Sequence, residues 1–173
     1  MLKENPTQQI MIIAQNKSIL KYIHDAIKHR DICTVGYYVG GMKEQALKET
    51  ETKQVVISTY SMAAEALDIK TLSTLIMATP KTDIEQSVGR ILREKHSQPI
   101  VVDIIDSHVV FQRQWLKRKA FYIKEKYKIV YTTNKNYGLA NFWETIHEDG
   151  IKCKKRTSLD DPLEGKCFLK IKK

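Results

Sequence analysis

The chain has 173 residues, of which 42% are hydrophobic and 28% are charged, and its formal net charge at pH 7 is +9. This is enough for one globular domain with a core, and it excludes a largely disordered chain. No apolar run approaches the roughly 20 residues that span a bilayer, and MLKENPTQQ lacks the apolar core of a signal peptide.

The three cysteines, Cys33, Cys153 and Cys167, have neither the spacing of a disulfide framework nor that of a zinc site. We therefore expect reduced thiols and an intracellular protein. The positive charge favours a polyanionic partner such as nucleic acid, although it fits a merely soluble basic surface equally well.

Short apolar runs alternate with helical patterns along most of the chain. The runs that predict strands are Ile10–Ala14, Ile32–Val39, Gln54–Tyr60, Leu72–Thr79 and Pro99–Ile105, with a possible sixth at Ile129–Thr133. Several are apolar nearly throughout, as are strands buried on both faces of a parallel sheet. Between the first two, Asn16–Arg30 repeats apolar residues at three- and four-residue steps, which indicates a helix packed on a sheet. The pattern predicts an α/β fold, with a parallel sheet of five to six strands sandwiched by helices.

The second half of the chain is more basic. A long helix is expected from about His108 to Lys126, and the segment Gln112–Lys128 holds seven basic residues against one acidic residue, Glu125. Beyond Asn134 the pattern weakens to a short helix around Leu139–His147 and an irregular tail. The basic residues of that tail are Lys152, Lys154, Lys155 and Arg156. We assign residues 1–133 to the α/β domain and 134–173 to a partly helical, basic C-terminal extension, which belongs either to this domain or to a following one.

The segment DIEQSVGRILR carries the most chemical information. On a helix, Ile84, Val88, Ile91 and Leu92 form one apolar stripe. Gln86, Arg90 and Arg93 fall within about 60° of one another on the opposite side. The planar, permanently charged fork of arginine matches phosphate oxygens, so this pair can stabilise charge on a transferred phosphoryl group. A solvated helix face explains the same pattern without any ligand.

The amino-acid sequence of this segment resembles a motif of a known protein family. The motif VI signature of superfamily 2 helicases, Q-x-x-G-R-x-x-R, is matched by QSVGRILR. Motif V of that family resembles VVISTYSMAAEALDI, and the strand between the two motifs resembles LIMATP. Motif IV is similar to IMIIAQNKSILKYIHDAI, and the strand that often follows it is similar to GYYVGGMKEQ. The order and spacing of these segments agree with the motifs of the family over about Gln9–Asp106. The chain is therefore identified as a member of the family, and the matching region corresponds to its second (C-terminal) RecA-like domain.

The resemblance continues beyond these motifs. The segment IIDSHVVFQRQWLKRKAFYIKEKY is similar to the end of this domain in DNA helicases of phages and large DNA viruses, including the poxvirus transcription-linked type. This resemblance favours DNA over RNA as the substrate. For a viral protein, it implies a place in the host cytoplasm, the viral replication site or the virion.

The resemblance to motif V implies roles for two residues, and the chain differs from the motif at a third position. Thr59 matches the residue that contacts a nucleic-acid phosphate, although it fits an ordinary strand-end hydroxyl as well. Asp68 matches the acidic residue near the nucleotide ribose, or it caps a turn. The family commonly has glycine where this chain has Ala66, which puts the fine geometry of motif V in doubt.

The remaining candidate ligand contacts lie on or beside three predicted helices. Lys43, after two glycines, is either a phosphate contact or a solvated lysine. Motif VI implies that Gln86 and Arg90 face bound ATP, that Arg93 is the arginine finger, and that Gly89 lets the helix approach closely. The basic helix is expected to bind nucleic acid, although it also fits packing on the sheet with its lysines solvated. Its candidate contacts are Arg113, Lys117 and Arg118.

Two signatures of a complete motor are missing from the sequence, namely the G-x-x-x-x-G-K-[ST] phosphate loop and the D-E-x-[DH] magnesium motif. In this family both lie on the first RecA-like domain. We therefore expect a C-terminal half that uses ATP with Mg²⁺ held mainly by an N-terminal partner domain, and that is inactive alone. The alternative is a basic nucleic-acid-binding module without nucleotide chemistry. A small Rossmann-like enzyme lacks support, because no G-x-G-x-x-G follows the first strand and no nucleophile–base pair stands out.

Overall fold

The structure is a computed structural model and describes residues 2, 6–65, 69–91, 99–151 and 166–171. Its strands are β1 (Gln9–Ala14), β2 (Val35–Tyr38), β3 (Val55–Thr59), β4 (Leu72–Met77), β5 (Ile100–Ile105), β6 (Lys128–Thr133), β7 (Glu144–His147) and β8 (Lys166–Ile171). Its α-helices are α1 (Lys17–His29), α2 (Glu44–Glu51), α3 (Tyr60–Glu65), α4 (Glu85–Ile91) and α5 (Val109–Lys124).

One sheet runs through the whole described chain, in the order β2-β3-β1-β4-β5-β8-β6-β7. The first five of these strands are mutually parallel. The central strand β1 is buried at all six positions, which explains its uninterrupted apolar sequence. The predicted parallel sheet of five to six strands is confirmed in these five strands, and the described sheet has eight strands in all.

Helices cover both faces of the parallel sheet. On one face α1 packs with Leu20, Ile23 and Ile27 against inward residues of β1 and β3. The side chain of Asn16 begins this helix by accepting a hydrogen bond from the Ser18 N–H at 2.9 Å. On the other face α3, α4 and α5 pack on a larger core, to which α5 contributes Trp115 and its neighbours. The predicted sandwich of helices on a sheet is confirmed.

The C-terminal region differs from its prediction in two ways. The helix expected around Leu139–His147 is wrong, because only Ala140–Phe142 forms a short 3₁₀ helix and β7 follows it. Pairing with β6 overrides the local helical preference, and Ile146 packs on the core. The second difference is β8, which lies between β5 and β6 and pairs antiparallel with both. Two strands from the predicted extension thus join the domain's own sheet.

Candidate functional site

The motif residues gather at one edge of the sheet, because β1 to β5 are parallel and their carboxyl ends point the same way. In open α/β sheets ligands collect beyond this edge. Thr59 is the last residue of β3, and the connection from β4 leads into α4. Lys43 lies before α2, in the turn that follows β2. The fold therefore brings Thr59, Lys43 and the start of α4 to the same edge of the sheet.

Helix α4 is anchored on one side and open on the other. Ile84 and Val88 are buried at 2% and 1% exposure, as the sequence stripe predicts. Gln86 and Gly89 are exposed. A Cβ added to Gly89 would meet no atom of the described residues within 4 Å, so packing against that part of the chain does not require the glycine. Toward the described residues, the helix is therefore open around this glycine.

Some of the predicted ATP-site residues cannot be placed. Arg90 belongs to α4 by its backbone, but its side chain lies outside the described part, as do Ile91's side chain and all of Leu92 and Arg93. Asp68 and Ala66 also lie outside the described residues, as does the basic tail 152–156. The roles of Arg90, Arg93 and Asp68 therefore remain predictions.

The hydroxyl of Thr59 already makes contacts with neighbouring residues of the chain. Its hydroxyl lies 3.2 Å from the Ser61 hydroxyl, and it accepts a long hydrogen bond of 3.4 Å from the Met62 N–H at the start of α3. It thus caps a helix, the ordinary role left open by the sequence, while remaining only half-buried at the sheet edge. Lys43 is exposed and follows Gly41, whose φ of +88° favours glycine at this turn.

The basic helix α5 has two distinct sides. Arg113 and Lys117 are exposed and one turn apart. Arg118 lies on the opposite side and is 1% exposed. Its Nε donates to Asp103 Oδ2 at 2.8 Å and its Nη2 donates to Asp103 Oδ1 at 2.9 Å. The expectation that Arg118 contacts nucleic acid is therefore wrong, because its guanidinium is used inside the domain.

Sequence reasoning missed this buried pair, although a signal was present. Asp103 stands in the middle of the apolar strand β5 and is 1% exposed. A carboxylate at such a position requires a partner, since an unpaired buried charge is very costly. The partner could be found on α5, because Phe111, Trp115, Arg118 and Tyr122 recur at steps of four, three and four and so share one helix face.

Two tyrosines surround the buried pair. The Tyr122 hydroxyl donates to Asp103 Oδ2 at 3.2 Å, and the Tyr60 hydroxyl donates to the Thr79 carbonyl. Burial, with the nearby Asp103 charge, raises the pKa of both hydroxyls above the usual value near 10. Both tyrosines therefore stay neutral hydrogen-bond donors at physiological pH.

Comparison with known proteins begins with a negative result, since no family model matches the chain. The chain is 48% identical over 98 residues to the protein named "Putative ATP-dependent RNA helicase L396" of Acanthamoeba polyphaga mimivirus, covering 55% of this chain and 19% of that protein. It is 26% identical over 163 residues to the QP509L protein of African swine fever virus, which carries the same helicase name, covering 83% and 31% respectively.

A shorter relative is covered more fully. The chain is 36% identical over 70 residues to Uncharacterized protein 108L of Invertebrate iridescent virus 3, covering 40% of this chain and 67% of that protein. In sequence, the chain is similar to two viral proteins named putative ATP-dependent RNA helicases. It spans less than a third of the length of either of them.

Two solved structures are similar to this RecA-like domain. The second domain of the DEAD-box helicase Mss116p, bound to an RNA duplex, aligns with a TM-score of 0.44 and 13% identity, covering 56% of this chain and 41% of that one. The Pyrococcus furiosus Hef helicase domain aligns with a TM-score of 0.43 and 20% identity, covering 51% and 19%.

The described part of the domain contains no cluster of three or more His, Cys, Asp or Glu side chains that could hold a metal ion. None of its helices has the length and apolarity to cross a membrane.

Proposed function

We propose that this RecA-like domain is the second motor domain of an ATP-dependent nucleic-acid helicase or translocase, and that it supplies the arginine finger. The observation that carries the proposal is α4, where the motif VI sequence lies at the carboxyl edge of the sheet with Ile84 and Val88 buried and Gln86 and Gly89 exposed. The helicase names of the mimivirus and African swine fever virus relatives support it.

The residues present fit part of an ATP site. Arg90 and Arg93 would stabilise negative charge on the phosphates, Gln86 would lie beside them, and Asp68 would lie near the ribose. Bound ATP with Mg²⁺ would supply the phosphoryl group whose transfer drives the motor. The sequence has no phosphate loop and no D-E-x-[DH] motif, so the proposal places the metal and the β-phosphate on another RecA-like domain.

The open surface of α4 explains how two such domains could share one site. Because a Cβ at position 89 would meet no atom of the described residues within 4 Å, we expect that another surface can approach the helix backbone there. Opening and closing of the two domains around the shared nucleotide would then move the nucleic acid, as a hinge motion gated by the γ-phosphate.

Nucleic acid is proposed to contact the domain through phosphates. Thr59 and Lys43 lie at the sheet edge, while Arg113 and Lys117 are exposed on α5. Such contacts position a strand without reading its bases, so they do not distinguish DNA from RNA. The sequence favoured DNA, but the relatives are named RNA helicases. Competition between DNA and RNA strands of equal length, measured by stimulation of ATP turnover, decides the substrate.

The test of the proposal uses the motor with both RecA-like domains. Arg90→Ala and Arg93→Ala are each expected to lower nucleic-acid-stimulated ATP turnover by on the order of a thousandfold, as loss of an arginine finger does. Lysine should rescue poorly, since a point charge cannot reproduce the bidentate fork. The matched control is Lys48→Ala, an exposed residue of α2 that forms an ion pair with Glu44 on the same helix. Normal turnover in both arginine variants would refute the proposal.

The exposed basic side of α5 favours a second candidate, a binding module without nucleotide chemistry. This alternative predicts that Arg90→Ala and Arg93→Ala leave ATP turnover unchanged, while nucleic-acid affinity still depends on Arg113 and Lys117. Steady ATP turnover by the purified chain alone would contradict both candidates, because neither of them gives this chain a phosphate loop.

A further inference from the structure

The buried arginine of α5 reaches a third partner beyond the carboxylate. Its Nη1 donates to the main-chain carbonyl of Lys81 at 2.8 Å. Lys81 lies in the connection from β4 to α4, residues 78–84, which leads directly into the motif VI helix. One guanidinium therefore joins α5, the buried Asp103 of β5 and the entry to α4.

The same connection is held at several other points. The Ala78 N–H donates to the Ile13 carbonyl at 2.8 Å, and the Gln15 N–H donates to the Thr79 hydroxyl at 2.8 Å. The ammonium of Lys81 lies 5.0 Å from the ring centroid of Tyr60, whose own hydroxyl donates to the Thr79 carbonyl. The end of β1, the motif V helix α3 and α5 thus fix the path of the chain before it enters α4.

A buried ion pair is by itself weak evidence of stabilisation. Desolvation of the two charges offsets much of their attraction, and apolar residues of similar volume often stabilise a fold as well. What apolar residues cannot provide is a donor to the Lys81 carbonyl. Lysine would not replace Arg118 either, because a single ammonium cannot hold both carboxylate oxygens and a carbonyl in a fixed fork. An arginine at position 118 is therefore explained better by the geometry of its hydrogen bonds to Asp103 and the Lys81 carbonyl than by a gain in the stability of the fold.

We propose that Arg118, oriented by Asp103, is a positioning residue that fixes the connection before α4 and so sets the direction in which motif VI faces its ligand. This inference rests on the proposed function, since it assigns Arg118 an effect on ATP turnover through Gln86, Arg90 and Arg93. Arg118 itself touches no ligand, because its side chain is fully buried among protein groups.

The main test removes the pair without leaving a buried charge alone. Arg118→Met by itself would strand Asp103 in the core and could prevent folding, so the decisive variant is the double change Arg118→Met with Asp103→Asn. The asparagine carbonyl still offers an acceptor to the Tyr122 hydroxyl. The matched control is Ile129→Val, a modest change in the same core on β6, which two strands separate from β4.

In the two-domain motor, the double variant is expected to lower kcat about a hundredfold, the scale of a displacement of about 1 Å at a reacting group, with a smaller change in KM for ATP. Ile129→Val should retain wild-type kcat at a temperature where both variants are folded. In the isolated chain, amide hydrogen exchange should accelerate in residues 78–91 of the double variant and stay unchanged in β1.

The outcomes separate this inference from the proposed function. If Arg90→Ala abolishes turnover while the folded double variant keeps normal kcat and normal exchange in residues 78–91, the positioning role is refuted and the motor assignment stands. If Arg90→Ala and Arg93→Ala leave turnover intact, the motor assignment fails. Local exchange in the double variant would then still report whether Arg118 holds the connection.

Discussion

Gly89 offers a test in which stability and activity should move in opposite directions. Glycine inside a helix is less favourable than alanine by about 0.8–1.0 kcal/mol. The position is exposed and a Cβ there would meet no described residue within 4 Å, so Gly89→Ala introduces no clash with the described part of the chain. We expect the isolated chain to gain about 0.5–1 kcal/mol. For a chain of this size, 1 kcal/mol raises the melting temperature by about 2–4 °C.

The same methyl group should damage the motor. If a second domain approaches α4 at Gly89, the added Cβ will push it away, and a displacement of about 1 Å can reduce turnover about a hundredfold. Thermal melting of the isolated chain and ATP turnover of the two-domain motor measure the two effects. Gly138→Ala is the matched control, because a Cβ there also meets nothing within 4 Å and lies outside the site. A stabilised Gly89→Ala variant with normal turnover would refute close approach at α4.

Two further predictions concern α5 and the buried tyrosines. Arg113→Ala and Lys117→Ala should each weaken nucleic-acid binding and reduce the slope of log affinity against log salt by about 1; binding that is indifferent to salt contradicts this. Burial raises the pKa of Tyr60, Tyr122 and Tyr127, so the unfolded chain releases these protons first as the pH rises. The free energy of unfolding should therefore hold below about pH 9 and fall above about pH 10, by up to about 1.4 kcal/mol per pH unit per tyrosine. Urea unfolding at pH 8, 10 and 11 measures it, and an unchanged value would refute the burial argument.

The parallel core could be predicted because its signals are local. The run Gln9–Ala14 is buried at every position, and its sequence is apolar after the first residue. Asn16 is a good N-cap residue placed directly before the apolar stripe of α1, and its side chain makes the expected capping bond. In such segments, propensity, periodicity and tertiary environment all favour the same structure.

The incorrect predictions concern residues whose structure is determined by partners that are distant in the sequence. Residues 139–147 have no local signal strong enough to exclude a helix, and β7 forms because β6 offers it an unpaired edge. Arg118 was counted with its charged neighbours, and only its spacing from Trp115 and Tyr122 places it on the buried face. The open surface around Gly89 was likewise visible only in three dimensions.

The position of β8 has a consequence for the order in which the domain can assemble. During synthesis from the N-terminus, β5 and β6 are complete well before Lys166–Ile171 emerges. Until then each presents an unpaired strand edge to the other, across the gap that β8 later fills. These late, long-range pairings raise the contact order of the fold and make sheet closure a slow step. A nascent chain stalled before residue 166 would expose two edges ready to pair with a neighbouring molecule, so the risk of aggregation at these edges lasts until β8 has been made.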